Sequence, residues 1–345
     1  MTATPSPIRT ALIGFGLSGR VFHSPLLAAD EQFSLDVIVT SDKERAADAA
    51  QRYPDAEIVS TADEVFKRAD DLDLVVIGTP PQTHVELAGE AITRGLHVVV
   101  DKPFAVSSPE AGALIDRAGA AGVVLTVFQN RRWDGDFLTL SKLLDDGAFG
   151  DIYTFESHFE RWSPASRTPW KEQTGIASGG GILFDLGTHV IDQALQLFGP
   201  VEDIYSESAR RSTTGASDAD DDTFVSLLHQ NGVRSRLWMS RFAGQVGPRF
   251  RLLGSEAAYT KWGLDGQEAA LASGMLPDDE DYGKENVWGM IGRDGDTRPV
   301  EAERGNYPAF YAQLGRAILN DGNVPVDPAG PLEVLRIIEK IHGLI

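Results

Sequence analysis

The sequence predicts two domains, a doubly wound α/β domain over residues 1–128 and an α+β domain with an open, mainly antiparallel sheet over residues 129–345. Three observations lead to this prediction. Short apolar segments alternate with helical segments up to about residue 127, longer segments of alternating polar and apolar residues follow, and a glycine-rich turn comes directly after the first apolar segment. Strand–helix alternation is typical of parallel sheets, whereas polar–apolar alternation is typical of antiparallel ones.

The predicted strands of the first domain are buried on both faces. They consist mainly of Val, Ile and Leu with little polar alternation, as in a parallel sheet that helices cover on both sides. Short connections between strands and helices make the sheet doubly wound. The strands are predicted at Arg9–Phe15, Leu35–Thr40, Leu74–Gly78, His97–Val100 and Val123–Val127, and the helices at Lys43–Arg52, Thr83–Arg94 and Pro109–Ala121.

The second domain combines helices with an amphipathic sheet. Arg234 and Arg236 alternate with Leu237 and Met239, which predicts antiparallel strands with one covered face. Asn231-Gly232 predicts a two-residue hairpin. The strands are predicted at Ile152–Glu160, Val201–Arg210, Phe224–His229, Val233–Ser240 and Phe250–Leu253, and the helices at Phe137–Asp145, Leu183–Phe198, Gln267–Ser273, Pro308–Asn320 and Pro331–His342, the last of which is expected to pack on the first domain.

Composition and charge exclude several classes of function. Hydrophobic residues make up 42% of the chain, and no apolar run approaches the ~20 residues that span a bilayer. The N-terminus shows no charged start followed by a long apolar stretch, so we expect a cytoplasmic protein. The chain has no cysteine, which excludes disulfides and thiolate ligands. A net charge of −20 repels nucleic acids and anionic membranes, and neither is an expected partner.

Two acidic runs are candidates for cation binding. One comprises Asp218 with Asp220–Asp222, and the other is Asp278–Asp281. Neither has the ordered ligand spacing of a calcium loop. We therefore interpret both as solvated loops and predict no metal site.

A glycine-rich turn, GFGLSG, follows the first predicted strand and precedes a helical segment. The first glycine permits the tight turn, the second lets the backbone approach a pyrophosphate, and the third allows close helix–strand packing. The N-terminus of the following helix attracts the phosphates. The turn therefore predicts a Rossmann dinucleotide-binding domain, with cofactor contacts at Gly14, Phe15, Gly16, Leu17, Ser18, Gly19 and Arg20.

The end of the second strand bears on the choice between NAD and NADP. An acid about 20 residues beyond the glycines binds the ribose 2′-hydroxyl of NAD, and Asp42 is a candidate for that role. Alternatively, Ser41 occupies the critical position, and Lys43 and Arg45 accept the 2′-phosphate of NADP. Both alternatives stay open, so the predicted cofactor is NAD(P).

Two more strands of the first domain end in polar segments. TPPQTH, residues 79–84, follows one strand, and Asp101-Lys102-Pro103 follows the next. Ligands of doubly wound sheets bind at the carboxyl ends of the strands, so we expect Lys102 to point into the cleft, with a surface lysine as the alternative. Thr83 is expected to cap the next helix. The predicted cofactor contacts here are Thr79, Pro80, His84, Asp101, Lys102 and, at the domain junction, Asn130.

Asp185 and His189 stand four residues apart on a predicted helix and therefore share one face. The preceding Gly179–Gly181 leaves a side-chain-free approach for a ligand. An imidazole titrates near neutral pH and suits proton exchange. A metal-binding interpretation of the pair lacks further ligands at suitable spacing. Four other histidines, His23, His97, His229 and His342, are interpreted as structural or surface residues.

The chain resembles the glucose–fructose oxidoreductase / inositol dehydrogenase / MocA (Gfo/Idh/MocA) family over essentially its whole length. The matching segments are GFGLSG, TPPQTHVELAGEAITRGLHVVVDKP and GGGILFDLGTHVIDQALQLFG. A narrower similarity to NADP-dependent scyllo-inositol dehydrogenases lies in GFGLSGRVFHSPLL, NRRWDGDFLTL, KWGLDGQEAALASG and GNYPAFYAQLGRAI. Two positions depart from these patterns. Asp101 replaces the usual glutamate before the lysine, and Asp42 stands where the narrower group tends to have an arginine.

The resemblance implies an oxidoreductase that transfers hydride between NAD(P) and a secondary alcohol of a cyclitol or sugar, with scyllo-inositol as the first expectation. The catalytic residues are then His189, which takes the hydroxyl proton, Asp185, which orients the ring, and Lys102, which stabilises the charge on the reacting oxygen. Two alternatives keep the fold: an NAD(P)-binding sensor without turnover, and a sugar–sugar oxidoreductase with tightly bound cofactor. A homodimer or homotetramer formed through the open sheet is also implied.

Polar and aromatic residues near the predicted domain junction are candidates for substrate binding. Polyols bind to planar apolar faces that carry several hydrogen-bonding groups, and the segments 130–134 and 161–171 offer that mixture. The predicted substrate contacts are Arg132, Trp133, Arg161 and Trp170, and Glu156 and His158 are further candidates on one strand face.

Overall fold

The computed structural model describes residues 6–164, 173–213, 217–320 and 322–345. The chain divides into two compact units. The first comprises Met1–Asn130, Gln267–Tyr282 and Asn306–Leu332, and the second comprises Arg131–Gly266, Gly283–Gly305 and Glu333–Ile345. The predicted division after residue 128 is a single cut, whereas these units are interleaved along the chain.

The first unit contains a parallel sheet of six strands in the order β3-β2-β1-β4-β5-β6. This order reverses between β1 and β4, where doubly wound sheets bind their ligands, so the predicted Rossmann fold is confirmed. The short strand β3 was not predicted, because three residues are too few to show a pattern. The strands are β1 Ile8–Ile13, β2 Phe33–Val39, β3 Glu57–Val59, β4 Leu74–Ile77, β5 His97–Asp101 and β6 Leu125–Phe128.

The helices of the first unit include two that follow far along the chain. Residues 306–311 bring Tyr307 to Phe22, at 6.2 Å between ring centroids, and Phe310 to Phe128, at 4.9 Å. Aromatic packing therefore draws this late segment into the first unit. The helices are α1 Ser24–Ala28, α2 Lys43–Arg52, α3 Ala62–Phe66, α4 His84–Thr93 and α5 Ser108–Ala121; α6 Gly135–Asp145 and α7 Thr188–Phe198 lie in the second unit, α8 Gln267–Ala272 and α9 Pro308–Asn320 in the first, and α10 Ala329–Ile341 spans residues of both.

The second unit contains an eight-stranded sheet in the order β14-β13-β12-β11-β7-β10-β9-β8. Every neighbouring pair is antiparallel except β7 and β10, which are parallel, so the sheet is mixed and mainly antiparallel, as predicted. A hairpin joins β9 and β10 at Asn231-Gly232, as predicted, but its loop is longer than the predicted two residues, because β9 ends at His229 and β10 begins at Arg234. Gly232 has a φ of 87°. The strands are β7 Ile152–Glu160, β8 Val201–Ala209, β9 Asp222–His229, β10 Arg234–Ser240, β11 Phe250–Gly254, β12 Ala258–Lys261, β13 Gly289–Arg293 and β14 Asp296–Val300.

The two faces of this sheet differ in what they carry. Phe155 and Phe159 pack against α7, with ring distances of 5.4 Å to Phe198 and 6.4 Å to His189. Successive residues of a strand point to opposite faces. We call the side of Phe155 and Phe159 the helix face and the other side the open face.

Among the helices of the described ranges, none combines the length and the hydropathy of a membrane span.

Candidate active site

The three glycines of the first turn meet different constraints. Gly14 has a φ of 104°, and a Cβ there would lie 2.7 Å from the carbonyl oxygen of Gly78. A Cβ on Gly19 would lie 2.0 Å from the carbonyl oxygen of Gly14. The position of a Cβ on Gly16 meets only Nη1 of Arg45, at 3.9 Å, among the atoms of the described chain. Gly14 and Gly19 therefore close the turn, while Gly16 leaves room for a pyrophosphate.

Some side chains of the glycine turn are buried in the core, and others are exposed to solvent. Phe15 is buried and packs edge-on against Tyr53 at 6.3 Å, so only its backbone is available to a cofactor. Leu17 and Arg20 are exposed. Gly19 starts a π-helical turn, Gly19–His23, that runs directly into α1.

At the end of β2, one of the two candidate ribose-binding groups is already engaged. Asp42 is the N-cap of α2, and its carboxylate accepts the backbone N–H of Arg45 at 2.9 Å. The guanidinium of Arg45 extends toward Gly16 of the glycine turn. Ser41 and Lys43 are exposed. Arg45 thus places a cation beside the glycine turn of the predicted cofactor site.

The loops after β4 and β5 are tied together by a buried histidine. Each ring nitrogen of His84 lies 2.9 Å from a backbone carbonyl, Nδ1 from that of Pro103 and Nε2 from that of Thr79. Burial lowers the pKa of His84. His84 was predicted to contact the cofactor. In the structure, its ring connects the loop after β4 to the loop after β5.

Thr83 does not cap α4, contrary to prediction. Its hydroxyl bonds to the Pro80 carbonyl at 2.8 Å and to the Thr79 hydroxyl at 2.7 Å, because its backbone is already helical.

Lys102 is half-buried after β5, and its backbone N–H donates to the Asp101 carboxylate at 2.8 Å. The first unit therefore contributes Thr79, Asp101 and Lys102 at the carboxyl ends of its strands.

In the second unit, Asp185 and His189 belong to one helical segment of two types. Asp185 lies in a π-helical turn, Leu183–Gly187, and His189 lies in the first turn of α7. The predicted helix is correct in position, but its first turn is not α-helical, a difference that apolar spacing does not reveal. His189 is buried and stacks on Phe159 with an interplanar angle of 25°.

A largely buried ion pair anchors α7 one turn beyond His189. Arg132 donates from Nε and Nη2 to the two carboxylate oxygens of Asp192, at 2.8 and 2.7 Å. Arg132 was predicted to contact substrate, and in the structure its Nε and Nη2 both donate to Asp192. Trp133 and Asn130, also predicted contacts, are buried.

A second buried arginine, which the sequence did not single out, completes this support. Arg249 donates to Gln193 at 2.7 Å and to Ser157 at 2.8 Å, and its Nε lies 3.4 Å from a carboxylate oxygen of Asp136. Gln193 in turn donates to the carbonyl of Arg131 at 3.0 Å. Burial raises the pKa of Asp136 and lowers that of Arg249. No periodicity marks such a cluster, because its members come from α6, α7, β7 and a loop.

Two further candidates for substrate contact are not brought to the helix face. Glu156 and His158 alternate with Phe155 and Phe159, so they lie on the open face, opposite His189. There His158 stacks on Trp238 at 4.2 Å, and Glu156 pairs with Arg251 at 3.2 Å. Both residues therefore lie on the sheet face opposite the one that carries His189. Arg161 is exposed, and Trp170, together with the neighbouring candidates Arg167 and Lys171, lies outside the described residues.

The first acidic run is not a solvated loop, and that prediction is wrong for two of its members. Asp220 and Asp221 are 6% and 5% exposed. Asp221 accepts the N–H groups of Arg211 and Ser212 at 2.6 and 2.9 Å. Asp278–Asp281 are exposed, as expected. Within the described ranges, no group of three His, Asp or Glu side chains is arranged to hold a metal ion.

Family comparisons cover most of both units. Residues 8–129 match the model described as "Oxidoreductase family, NAD-binding Rossmann fold", and residues 137–260 match the "GFO/IDH/MocA C-terminal domain". An uncharacterized oxidoreductase of Escherichia coli K12, YdgJ, is 40% identical over 96% of this chain and 94% of its own length. The scyllo-inositol 2-dehydrogenase (NADP(+)) IolW of Bacillus subtilis 168 is 33% identical over 96% of this chain and 92% of its own.

Solved structures agree over nearly the whole chain. The oxidoreductase yvaA of Bacillus subtilis has a TM-score of 0.91 at 31% identity, covering 99% of this chain and 97% of its own. The oxidoreductase YPO2259 of Yersinia pestis has a TM-score of 0.90 at 36% identity, covering 99% and 96%.

Proposed function

Because the chain belongs to the Gfo/Idh/MocA family of oxidoreductases, with an NAD-binding Rossmann domain, we propose that it is a dehydrogenase of cyclitols or sugars. It transfers hydride between a secondary alcohol and NAD(P), and scyllo-inositol is the first substrate to test. The observation that carries the proposal is the Asp185–His189 pair, which lies on a helical segment that Arg132 and Arg249 anchor through Asp192 and Gln193.

The glycine turn fits the cofactor, because Gly16 leaves the space that a pyrophosphate needs and Arg45 supplies a nearby positive charge. When bound, NAD(P) supplies the hydride chemistry. His189 accepts the proton of the substrate hydroxyl, and Asp185 orients and partly neutralises the resulting imidazolium. Lys102 donates a hydrogen bond to the reacting oxygen and stabilises its negative charge.

We further propose that NADP is the preferred cofactor. The Asp42 carboxylate caps α2 with one of its two oxygens, whereas the Arg45 guanidinium lies beside Gly16 of the glycine turn. The Arg45 guanidinium is the group that suits a 2′-phosphate. The similarity to IolW, described as an NADP(+) enzyme, supports the same choice.

The open face of the second unit supports a homodimer or homotetramer. Tyr205, Phe224, Trp238 and His158 form an aromatic row across β8, β9, β10 and β7, with successive ring distances of 6.4, 4.9 and 4.2 Å. Trp262 and Trp288, which lie next to the ends of β12 and β13, are also about half exposed. Aromatic residues are enriched at protein interfaces, so a second copy of the chain is the occupant we propose.

A cytoplasmic location remains a prediction of the sequence.

Initial rates of nicotinamide reduction test the proposed function. NAD and NADP are each offered with scyllo-inositol, myo-inositol, glucose and xylose, using wild type, Lys102→Ala and His189→Ala. We expect turnover with at least one pair, and a loss of about a hundredfold or more in both variants. Near-normal turnover in the folded variants would contradict the assigned roles.

Two other results would favour the alternatives. Cofactor binding without turnover on any polyol favours a sensor. Dinucleotide that stays bound through purification, with ping-pong kinetics between two sugars, favours a sugar–sugar oxidoreductase.

A further inference from the structure

Asp220 lies buried at the start of the helical segment that carries Asp185 and His189. Its Oδ2 accepts the backbone N–H of Leu183 at 3.0 Å and the hydroxyl of Thr223 at 2.6 Å. Its backbone carbonyl accepts the N–H of Ile182 at 2.8 Å. The first N–H groups of a helix have no intrahelical acceptor, so one residue supplies acceptors to two of them.

The other carboxylate oxygen of Asp220 faces the C-terminal helix. Oδ1 lies 3.2 Å from Nε2 of His342, and the two side chains are 4% and 3% exposed. The ring of His342 also packs against Phe184 at 5.6 Å. Phe184 belongs to the same π-helical turn as Asp185. His342 therefore contacts this turn both directly and through Asp220.

The glycines before the turn make this arrangement possible. Gly181 has a φ of 105°, and a Cβ there would lie 2.1 Å from Oδ1 of Asp220. A Cβ on Gly180 would lie 2.0 Å from the carbonyl oxygen of Thr174. Close packing within the second unit thus requires both glycines, whether or not they also face a ligand.

We propose that Asp220, held in place by His342, is a positioning residue for the acid–base pair. It fixes the π-helical turn that carries Asp185, and the same rigid segment continues into the turn that carries His189. Displacement of a reacting group by about 1 Å can cost roughly a hundredfold in rate. The inference rests on the proposed function, because Asp185 and His189 are catalytic only if the chain is a dehydrogenase.

The kinetic test compares Asp220→Ala, Asp220→Asn and His342→Gln with Asp222→Asn. Asp222 belongs to the same acidic run but pairs with the exposed Arg211 at 2.8 Å, so it is the matched control. We expect Asp220→Ala to lower kcat by about 10- to 100-fold, with the KM for dinucleotide within about twofold of wild type. Asp220→Asn keeps the shape of the side chain and one acceptor oxygen, so it should retain most of the wild-type kcat. The kcat of His342→Gln should lie between those of Asp220→Ala and Asp220→Asn. Wild-type kcat in folded Asp220→Ala would overturn the inference.

A second readout needs no substrate. The imidazole titration of His189 is followed by NMR in ¹⁵N-histidine-labelled protein and assigned with His189→Gln. We expect the titration midpoint of His189 to move by roughly 0.5 pH unit or more in Asp220→Ala, because loss of Asp220 displaces the carboxylate of Asp185. If Asp220→Ala does not fold, Asp220→Asn and His342→Gln carry the comparison. If the midpoint of His189 is unchanged in every folded variant, the inference is overturned. If the midpoint moves but the wild-type protein turns over no substrate, only the proposed function is contradicted.

Discussion

Single side chains at the end of β2 bear on cofactor choice at the residue scale. One oxygen of the Asp42 carboxylate caps α2, and the guanidinium of Arg45 lies beside Gly16. A guanidinium forms charge-assisted hydrogen bonds with phosphate oxygens, which are about twice as strong as neutral ones. The same charge contributes little to a cofactor that carries a hydroxyl at the 2′ position.

Replacement of Arg45 should therefore separate the two cofactors. We expect Arg45→Ala to raise the KM for NADP about 10-fold or more, because a hydrogen bond to a charged group contributes roughly 1.5–3 kcal/mol. The KM for NAD should stay within about twofold. Arg52→Ala is the control, since Arg52 lies on the same helix and pairs with Asp48 at 2.7 Å. Equal effects of Arg45→Ala on both cofactors would contradict the NADP assignment.

At the scale of elements, the helix α7 is the most heavily supported part of the candidate site. The Arg132–Asp192 pair is bidentate, and its side chains are 14% and 2% exposed. Gln193, one residue further, bonds to Arg249 and to the Arg131 backbone. These contacts fix the rotation of the helix that carries His189.

Removal of one partner of the pair leaves a buried charge without compensation. We expect Asp192→Ala to lower the free energy of unfolding by about 3 kcal/mol, measured by urea denaturation. Arg132→Ala should have a similar effect, and the double variant should lose much less than the sum. Asp48→Ala, which breaks an exposed pair, should change it by less than about 1 kcal/mol. Additive losses at positions 132 and 192 would show that the pair does not act as a unit.

Local patterns predicted most elements, and tertiary contacts explain the failures. The buried strands β1, β4 and β5 and the helices α2 and α9 are marked by composition and spacing, and both sheets were predicted in type. The strands β12 to β14 were missed because they are short and β14 is mostly exposed. Asp220 and Asp221 read as solvent-exposed in sequence, since their acceptor role depends on N–H groups that only folding brings to them.

The candidate site was predictable to the extent that motifs mark it. The glycine turn, Lys102 and the Asp185–His189 spacing carry the family resemblance, and family membership is confirmed. Arg249 and Gln193 carry no such signal, because their roles arise from strands and helices distant in sequence. Alternation placed Glu156 and His158 on one strand face, but it could not show that the helices cover the other face.

For the whole molecule, buried histidines make stability depend on pH. Burial lowers the pKa of His23 from 6.5 to about 4, and it also lowers the pKa values of His84, His97 and His229. Below about pH 6.5 the unfolded chain binds protons that the folded chain does not. The contribution of neutral His23 is therefore complete above that pH and is lost progressively toward pH 4.

We expect the free energy of unfolding to fall by about 3 kcal/mol through His23 alone between pH 6.5 and 4, at roughly 1.4 kcal/mol per pKa unit. Urea titrations at intervals across this range measure the slope. His23→Gln cannot titrate and should show a shallower slope. An identical slope in wild type and variant would contradict the assignment to His23.

Assembly is the second property of the whole molecule, and sedimentation velocity tests it. We expect a species of at least two 37.3 kDa chains. Tyr205→Arg should dissociate it, because Tyr205 lies on the open face and is 57% exposed. Tyr153→Arg is a matched control, since Tyr153 is also 57% exposed but shares the strand alternation of Phe155 on the helix face. A wild-type monomer, or equal dissociation by both variants, would rule out an interface on the open face.

Hydride transfer is the central claim, and an isotope label tests it most directly. scyllo-Inositol deuterated at its carbinol carbons is incubated with the enzyme and NADP, and the reduced cofactor is examined by NMR and mass spectrometry. We predict one deuterium at C4 of the nicotinamide ring, with no exchange into water, and little labelled product from His189→Ala in the same time. Reduced cofactor without deuterium, or binding of both ligands with no reduction by this or another polyol, would contradict the account.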